Sequence, residues 1–338
     1  MLVAMVYLIR PYLKYNNAPH YGEKMIQTSS QLTLQNIEAD TYAQLFSKGP
    51  HIYNSVAFNE LNRHKVEQLH YLVMADTKVR FGIIAGQRGN ILLSPFSAPF
   101  GGFNTNSIQR LEAMETASSL LKTYATERGL QAHITLPPLV YNASQLAKWV
   151  NVLSRAGQAE TVDLSYYLPL NPNIAYETII SSSARNKLRQ ALKHPFIFSK
   201  LNSNNPNDVE RAYNIISKNR AEHQYPLRMS FEDVIRTIKI VNASFFVLTI
   251  DGIDVAAAQI YDVSDKMAQV IYWGDLKAYA HLRTMNVLAA LLYDYYSKRG
   301  YTLLDIGPAT ENGTPNYGLC SFKEDIGCQA SPKYSFIL

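Results

Sequence analysis

Apolar and polar positions along this chain follow two periods. Short apolar runs bounded by glycine, asparagine or proline predict strands at 81–86, 90–96, 131–136, 161–170, 245–250, 253–261, 267–273 and 301–306. Apolar residues three and four apart predict a helix from about residue 107, carried by Ile108, Leu111, Met114, Ala117, Leu120, Leu121 and Tyr124. The same spacing predicts helices over 143–154, 175–193, 207–224, 231–241 and 285–297. Before residue 50 the pattern is mixed, with a short strand at 32–34 and a helical piece at 42–46.

Turn chemistry sharpens this outline. Asp251 and Gly252 between two apolar runs are the clearest hairpin signal, and Gln87 to Asn90, with Gly89, is a second. Asn106 stands three residues before Gln109, a spacing that predicts a capped helix start. Pro169 and Pro172 mark a crossing point near the middle of the chain.

One order of elements occurs twice. Strand 90–96, the loop through Gly101 and Gly102, the helix ending near Gly129 and strand 131–136 form one copy. Strand 267–273, the loop 274–284, the helix 285–297 and strand 301–306 form the other. The unit is too long for a solenoid repeat, so it predicts two duplicated domains. We place them at 1–165 and 166–338, each an α/β (α+β) unit with a mixed, mostly antiparallel sheet.

The strand-loop-helix corner carries the chemistry, because a helix N-terminus offers unpaired N–H donors and a positive dipole end to an anion. Gly101 and Gly102 predict close backbone approach to a ligand in the first copy. Lys277, His281 and Arg283 would favour a diphosphate in the second. The glycine fingerprints of dinucleotide and P-loop sites are absent. The same corners also read as ordinary connections with solvated charges.

Composition excludes more than it selects. With 338 residues, 47% hydrophobic and 17% charged, the chain can bury sizeable cores. A net charge of +5 permits an anionic ligand but predicts no DNA binding. Cys320 and Cys328 are too few for a disulfide framework and have no zinc spacing, so reduced thiols and no metal are expected. The apolar first ten residues are too short to span a bilayer and lack a signal-peptide pattern, which predicts a soluble, cytoplasmic protein with no transmembrane segment.

The second half resembles the GNAT acetyltransferase superfamily in its order of elements. Tyr301, Asp305, Gly307 and Pro308, followed by Tyr317, Gly318, Leu319, Phe322, Lys323, Glu324 and Gly327, are similar to the C-terminal signature of FemAB-like transferases, which carry two GNAT-like domains in tandem. Arg185, Lys187 and Arg189 resemble that group's basic helix, and Arg220 with Pro226 its next helix and turn. The chain departs from the pattern in lacking the acetyl-CoA-type loop after Trp273 and the long helical arm of some peptidoglycan-bridge members.

The resemblance implies transfer of an acyl or aminoacyl group from acyl-CoA or an aminoacyl-tRNA to an amine. The acceptor would be a small molecule or a glycan or peptide precursor of the cell envelope. Lys323 would support charge on the attacked carbonyl and Asp305 would orient the amine or relay its proton. Phe322, Tyr317, Arg220 and the helix face of Arg185 and Arg189 would bind substrate. Trp273, Gly274, Arg283 and Thr284 would hold the donor. A surface lysine, a turn-forming aspartate and a solvated arginine face are the structural readings of the same residues. A binding module that keeps the duplicated fold without catalysis is the alternative from another class.

Overall fold

The computed structural model describes residues 31–338; the apolar run at the start of the chain lies outside them. The first half begins with β1 (Thr33–Asn36), α1 (Ala39–Leu45) and α2 (Val56–Leu61). The antiparallel strands β2 (Gln68–Ala75), β3 (Val79–Arg88) and β4 (Ile91–Ser94) follow. β5 (Phe103–Thr105) pairs with β3, then come α3 (Leu111–Thr126), β6 (Gln131–Thr135), α4 (Ala143–Ala156) and β7 (Gln158–Pro169).

In the second half α5 (Tyr176–Ile179) and α6 (Ser182–Ala191) lead to β8 (Ile197–Leu201), α7 (Pro206–His223) and α8 (Phe231–Thr237). The meander β9 (Ala243–Ile250), β10 (Ile253–Ser264) and β11 (Met267–Asp275) precedes α9 (Thr284–Ser297) and β12 (Leu303–Pro308). A small hairpin of β13 (Thr310–Glu311) and β14 (Thr314–Pro315), then α10 (Tyr317–Asp325) and β15 (Gln329–Ile337), complete the chain.

The repeated module is present in both halves. β4 and β6 are parallel partners connected through α3, and β11 and β12 are parallel partners connected through α9. The predicted hairpins also form: Asp251 and Gly252 take φ of 50° and 78°, which lets a two-residue turn follow the strand twist. β9 and β10 are buried on both faces, hence their near-continuous apolar sequences. Phe246 and Leu248 pack on the side of α9, while Phe245 and Val247 pack on the side of α7.

The two halves share one sheet, in the order β1-β2-β3-β4-β6-β15-β7-β12-β11-β10-β9-β8. β7, from the middle of the chain, pairs with β12, while the C-terminal β15 lies between β6 and β7. These two strands therefore lace the halves together.

Several local expectations are corrected. The third helix starts at Leu111, not near 107, and Asn106 does not cap it: its amide donates to the Leu45 carbonyl at 3.0 Å. Ile108 is 89% exposed, so the apolar stripe begins one turn later. The single helix expected over 175–193 is two, because Ser181 turns the chain and caps α6 through Ala184 N–H at 3.0 Å. The helix expected over 231–241 stops at Thr237, and β8 had no clear signal among the polar residues around it.

Candidate active-site crevice

The parallel pairing of β11 with β12 covers only Met267 to Gln269 opposite Leu303 to Asp305. Beyond that rung the strands diverge, and among the described residues the β12-facing edge of β11 from Val270 onward has no strand partner. Backbone polar groups seek partners, so such an edge is suited to a ligand. A cavity of about 860 Å³ occupies the divergence. Its apolar lining includes Val270, Trp273, Met285, Ile306, Leu319 and Phe322, with the Trp273 and Phe322 rings 6.2 Å apart.

A charged rim comes from both halves. Lys65 follows α2 and is held by Asn62 Oδ1 and Ser97 Oγ, each at 2.8 Å; burial lowers its pKa. Arg220 on α7 lies 5.2 Å over the Tyr272 ring and 5.8 Å over Tyr225, and burial lowers its pKa as well. Its Nε is buried without a hydrogen-bond partner among the described residues. Arg228 and Arg236 line the same opening, Arg236 paired with Asp233.

Beneath the crevice is a buried polar network. Asp305 is 1% exposed and accepts from Gly307 N–H at 2.8 Å, Tyr141 Oη at 2.8 Å and Gln269 Nε2 at 2.7 Å. Tyr53 donates to Gln269 Oε1. Burial raises the Asp305 carboxyl, opposed by these donors and by the Lys323 charge. Lys323 is 2% exposed and directs its ammonium at the carbonyls of Ile306, Gly307 and Pro308, at 3.2, 2.8 and 2.9 Å. Burial pushes it down to about 8.

Five of the residues singled out in the sequence meet at the cavity: Lys323, Phe322, Trp273, Gly274 and Arg220. Asp305 lies behind its wall, and its bond to Gly307 N–H is the turn-forming contact foreseen for it. Thr284 is fully buried at the start of α9 and donates to the Asp275 carboxylate, whose pKa is raised by burial; Asp275 is one of the residues lining the cavity. The other four lie elsewhere. Arg185 donates to the Glu177 and Ile180 carbonyls at 2.8 and 3.4 Å, Arg189 pairs with the Glu177 carboxylate at 3.1 Å, Tyr317 is 78% exposed, and Arg283 adopts φ of 58° before α9.

Sequence reasoning missed Lys65, Arg228, Arg236, Asp275 and Gln269. Only Gln269 left a trace, as the polar residue inside an apolar strand.

The first-half corner differs. Gly101 donates its N–H to Thr135 O at 2.8 Å, and a Cβ there would lie 2.8 Å from Pro95 N. The glycines expected to admit a ligand instead admit the chain's own loop. Phe100, 1% exposed, packs edge-on to Tyr141 at 4.8 Å and completes the plug.

A side chain at Gly274 would require Asn219 to shift. A Cβ would lie 2.3 Å from Cγ of Asn219, whose amide already holds the Asp275 carbonyl at 2.7 Å. Gly274→Ala is expected to cost about 2 kcal/mol in a chemical denaturation experiment; a cost near zero would show that Asn219 yields freely.

No protein-family profile matches the chain, and no curated protein is similar to it in sequence. Solved structures share its fold. FemX superposes with a TM-score of 0.64 at 12% identity, over 90% of this chain and 97% of the other. L-PGS from Bacillus licheniformis gives 0.55 at 12%, over 89% and 92%. A tandem GNAT protein from the clavulanic acid biosynthesis pathway gives 0.50 at 10%, over 91% and 98%. Two GNAT-like halves on one sheet define the class of fold. Within that class the arrangement is FemAB-like, as the signature from Tyr301 to Gly327 led us to expect.

Proposed function

We propose that the second-half crevice transfers an acyl or aminoacyl group from an activated donor to an amine. The observation carrying this reading is the cavity between diverging β11 and β12, bounded on one side by a strand edge that has no partner strand among the described residues. In the proposed step a neutral amine attacks the donor carbonyl carbon, forming the new C–N bond and a tetrahedral oxyanion. Collapse breaks the bond to the thiol or ribose oxygen, and the leaving group takes the proton released by the amine. Strand-edge amides would meet the oxyanion, and the Lys323 charge would support it from beneath the wall. An acceptor with an anionic precursor moiety fits the basic rim.

The donor can be acyl-CoA or an aminoacyl-tRNA. A specific observation favours the second: the Asp275 carboxylate occupies the corner at the start of α9, where a diphosphate would meet repulsion. Native mass spectrometry against acyl-CoAs and an aminoacyl-tRNA tests the reading. Retention of an aminoacyl-tRNA with transfer to an added amine supports this branch, and CoA retention with acyl transfer supports the other. Binding of neither, with no transfer, would overturn the proposal in favour of a non-catalytic module.

The pH dependence follows from Lys323. Its charge is present below about 8 and lost above it, so the ratio of the wild-type transfer rate to that of Lys323→Met, in which the acceptor amine titrates alike, is expected to fall as pH rises through that value. A wild-type to Lys323→Met rate ratio flat from pH 7 to about 9.5 would remove the Lys323 charge from the mechanism.

A further inference from the structure

We propose that Tyr53, buried, and Tyr141, half-buried, two tyrosines of the first half, set the opening of the crevice in the second half by clasping its apex. They are positioning residues, and the inference stands whatever ligand the crevice takes.

The apex is the last paired rung, Gln269 opposite Asp305. Main-chain pairing stops there, but the side chains continue the tie, with Gln269 Nε2 2.7 Å from Asp305 Oδ2. Each member of this tie receives a tyrosine hydroxyl from the first half, and Asp305 also accepts a longer bond from Ser165 Oγ at 3.4 Å. Tyr141 donates to Asp305 at 2.8 Å and Tyr53 donates to Gln269. These donors lie 164 and 216 residues away in sequence.

Asp305 passes the constraint to the cavity wall. Its Oδ1 accepts from Gly307 N–H, fixing Gly307 at φ of 78°, where the β12–β7 register shifts. Lys323 holds the same three-residue wall through its carbonyls. The wall is thus gripped by its N–H on one side and its C=O groups on the other. Gln269 and Gly307 line the cavity, whereas Tyr53, Tyr141 and Asp305 are not among its lining residues. All the clasp hydroxyls are desolvated, and burial raises both tyrosines well above the usual phenol range, so they remain neutral donors. Buried networks of this kind fix one geometry, because a partner lost leaves another group unsatisfied.

The geometry also gives the plugged first-half corner a role. Phe100 of that plug packs edge-on to Tyr53 at 5.1 Å and to Tyr141 at 4.8 Å. A corner closed by its own loop becomes the rigid seat from which both tyrosines reach across.

The test uses Tyr53→Phe, Tyr141→Phe and the double variant of the full chain. Hydrogen exchange across 303–310 should accelerate about tenfold in the double variant, while 79–88 in the first half stays unchanged. Trp273 supplies a second readout in a Trp149→Phe background, where its acrylamide quenching constant should rise about twofold. A folded variant that melts earlier yet keeps parental exchange at 303–310 and parental Trp273 quenching would overturn the proposal. If the double variant fails to fold, each single variant, missing one hydroxyl, decides the matter by the same two readouts.

Discussion

Lys323→Met is expected to destabilise the protein by on the order of 3 kcal/mol and to lower transfer about a hundredfold. The substitution preserves most of the side-chain volume but strands the carbonyls of Ile306, Gly307 and Pro308, which share one ammonium in a site 2% exposed. Those carbonyls belong to the crevice wall, so stability and transfer should fall together. Denaturant titration and a rate measurement on the folded variant separate the two effects. A stable variant with wild-type transfer would make Lys323 a bystander.

The same residue fixes a sign in the pH dependence of stability. Its pKa in the folded chain is about 8 against an ordinary 10.5, so between these values the unfolded chain binds more protons. Raising pH through that window therefore favours the folded state, by up to about 3 kcal/mol from this group. Lys323→Met lacks the term, and the stability gap between wild type and variant should widen from pH 8 toward 10.5.

Gly157→Ala is expected to cost about 3 kcal/mol, seen as a fall in Tm of several degrees, with no ligand involved. A Cβ at this position would lie 2.0 Å from the Ile337 carbonyl oxygen and 2.8 Å from a Leu338 methyl carbon. The obstacle is backbone, not a flexible side-chain tip, so β15 would have to move. β15 pairs with β6 and β7 and so laces the two halves. Loss of β15 pairing should therefore show as faster hydrogen exchange in β6 and β7 together. A Tm equal to wild type would mean that the C-terminal residues bend away at little cost.

The elements themselves were written locally. Asp251 and Gly252 specify a turn that few other pairs accept, and the apolar spacing of 285–297 specifies α9 almost to the residue. Local signals failed where tertiary contacts outbid them: Asn106, with the chemistry of a cap, satisfies a carbonyl on another helix. The basic face of Arg185 and Arg189 had the composition of an anion site, yet its guanidinium groups meet Glu177 and nearby carbonyls.

By itself the sequence determined the duplicated strand-loop-helix-strand module and the hairpins. Periodicity records which face of an element is buried, and turn residues record where the chain reverses; both act within a few residues. Only the tertiary structure decided that β7 and β15 lie side by side between the halves, that Lys65 joins the rim, and that Tyr53 meets Gln269. Those choices depend on register and partner between segments far apart in the chain, and an alternating apolar pattern is equally consistent with any partner that covers its buried face.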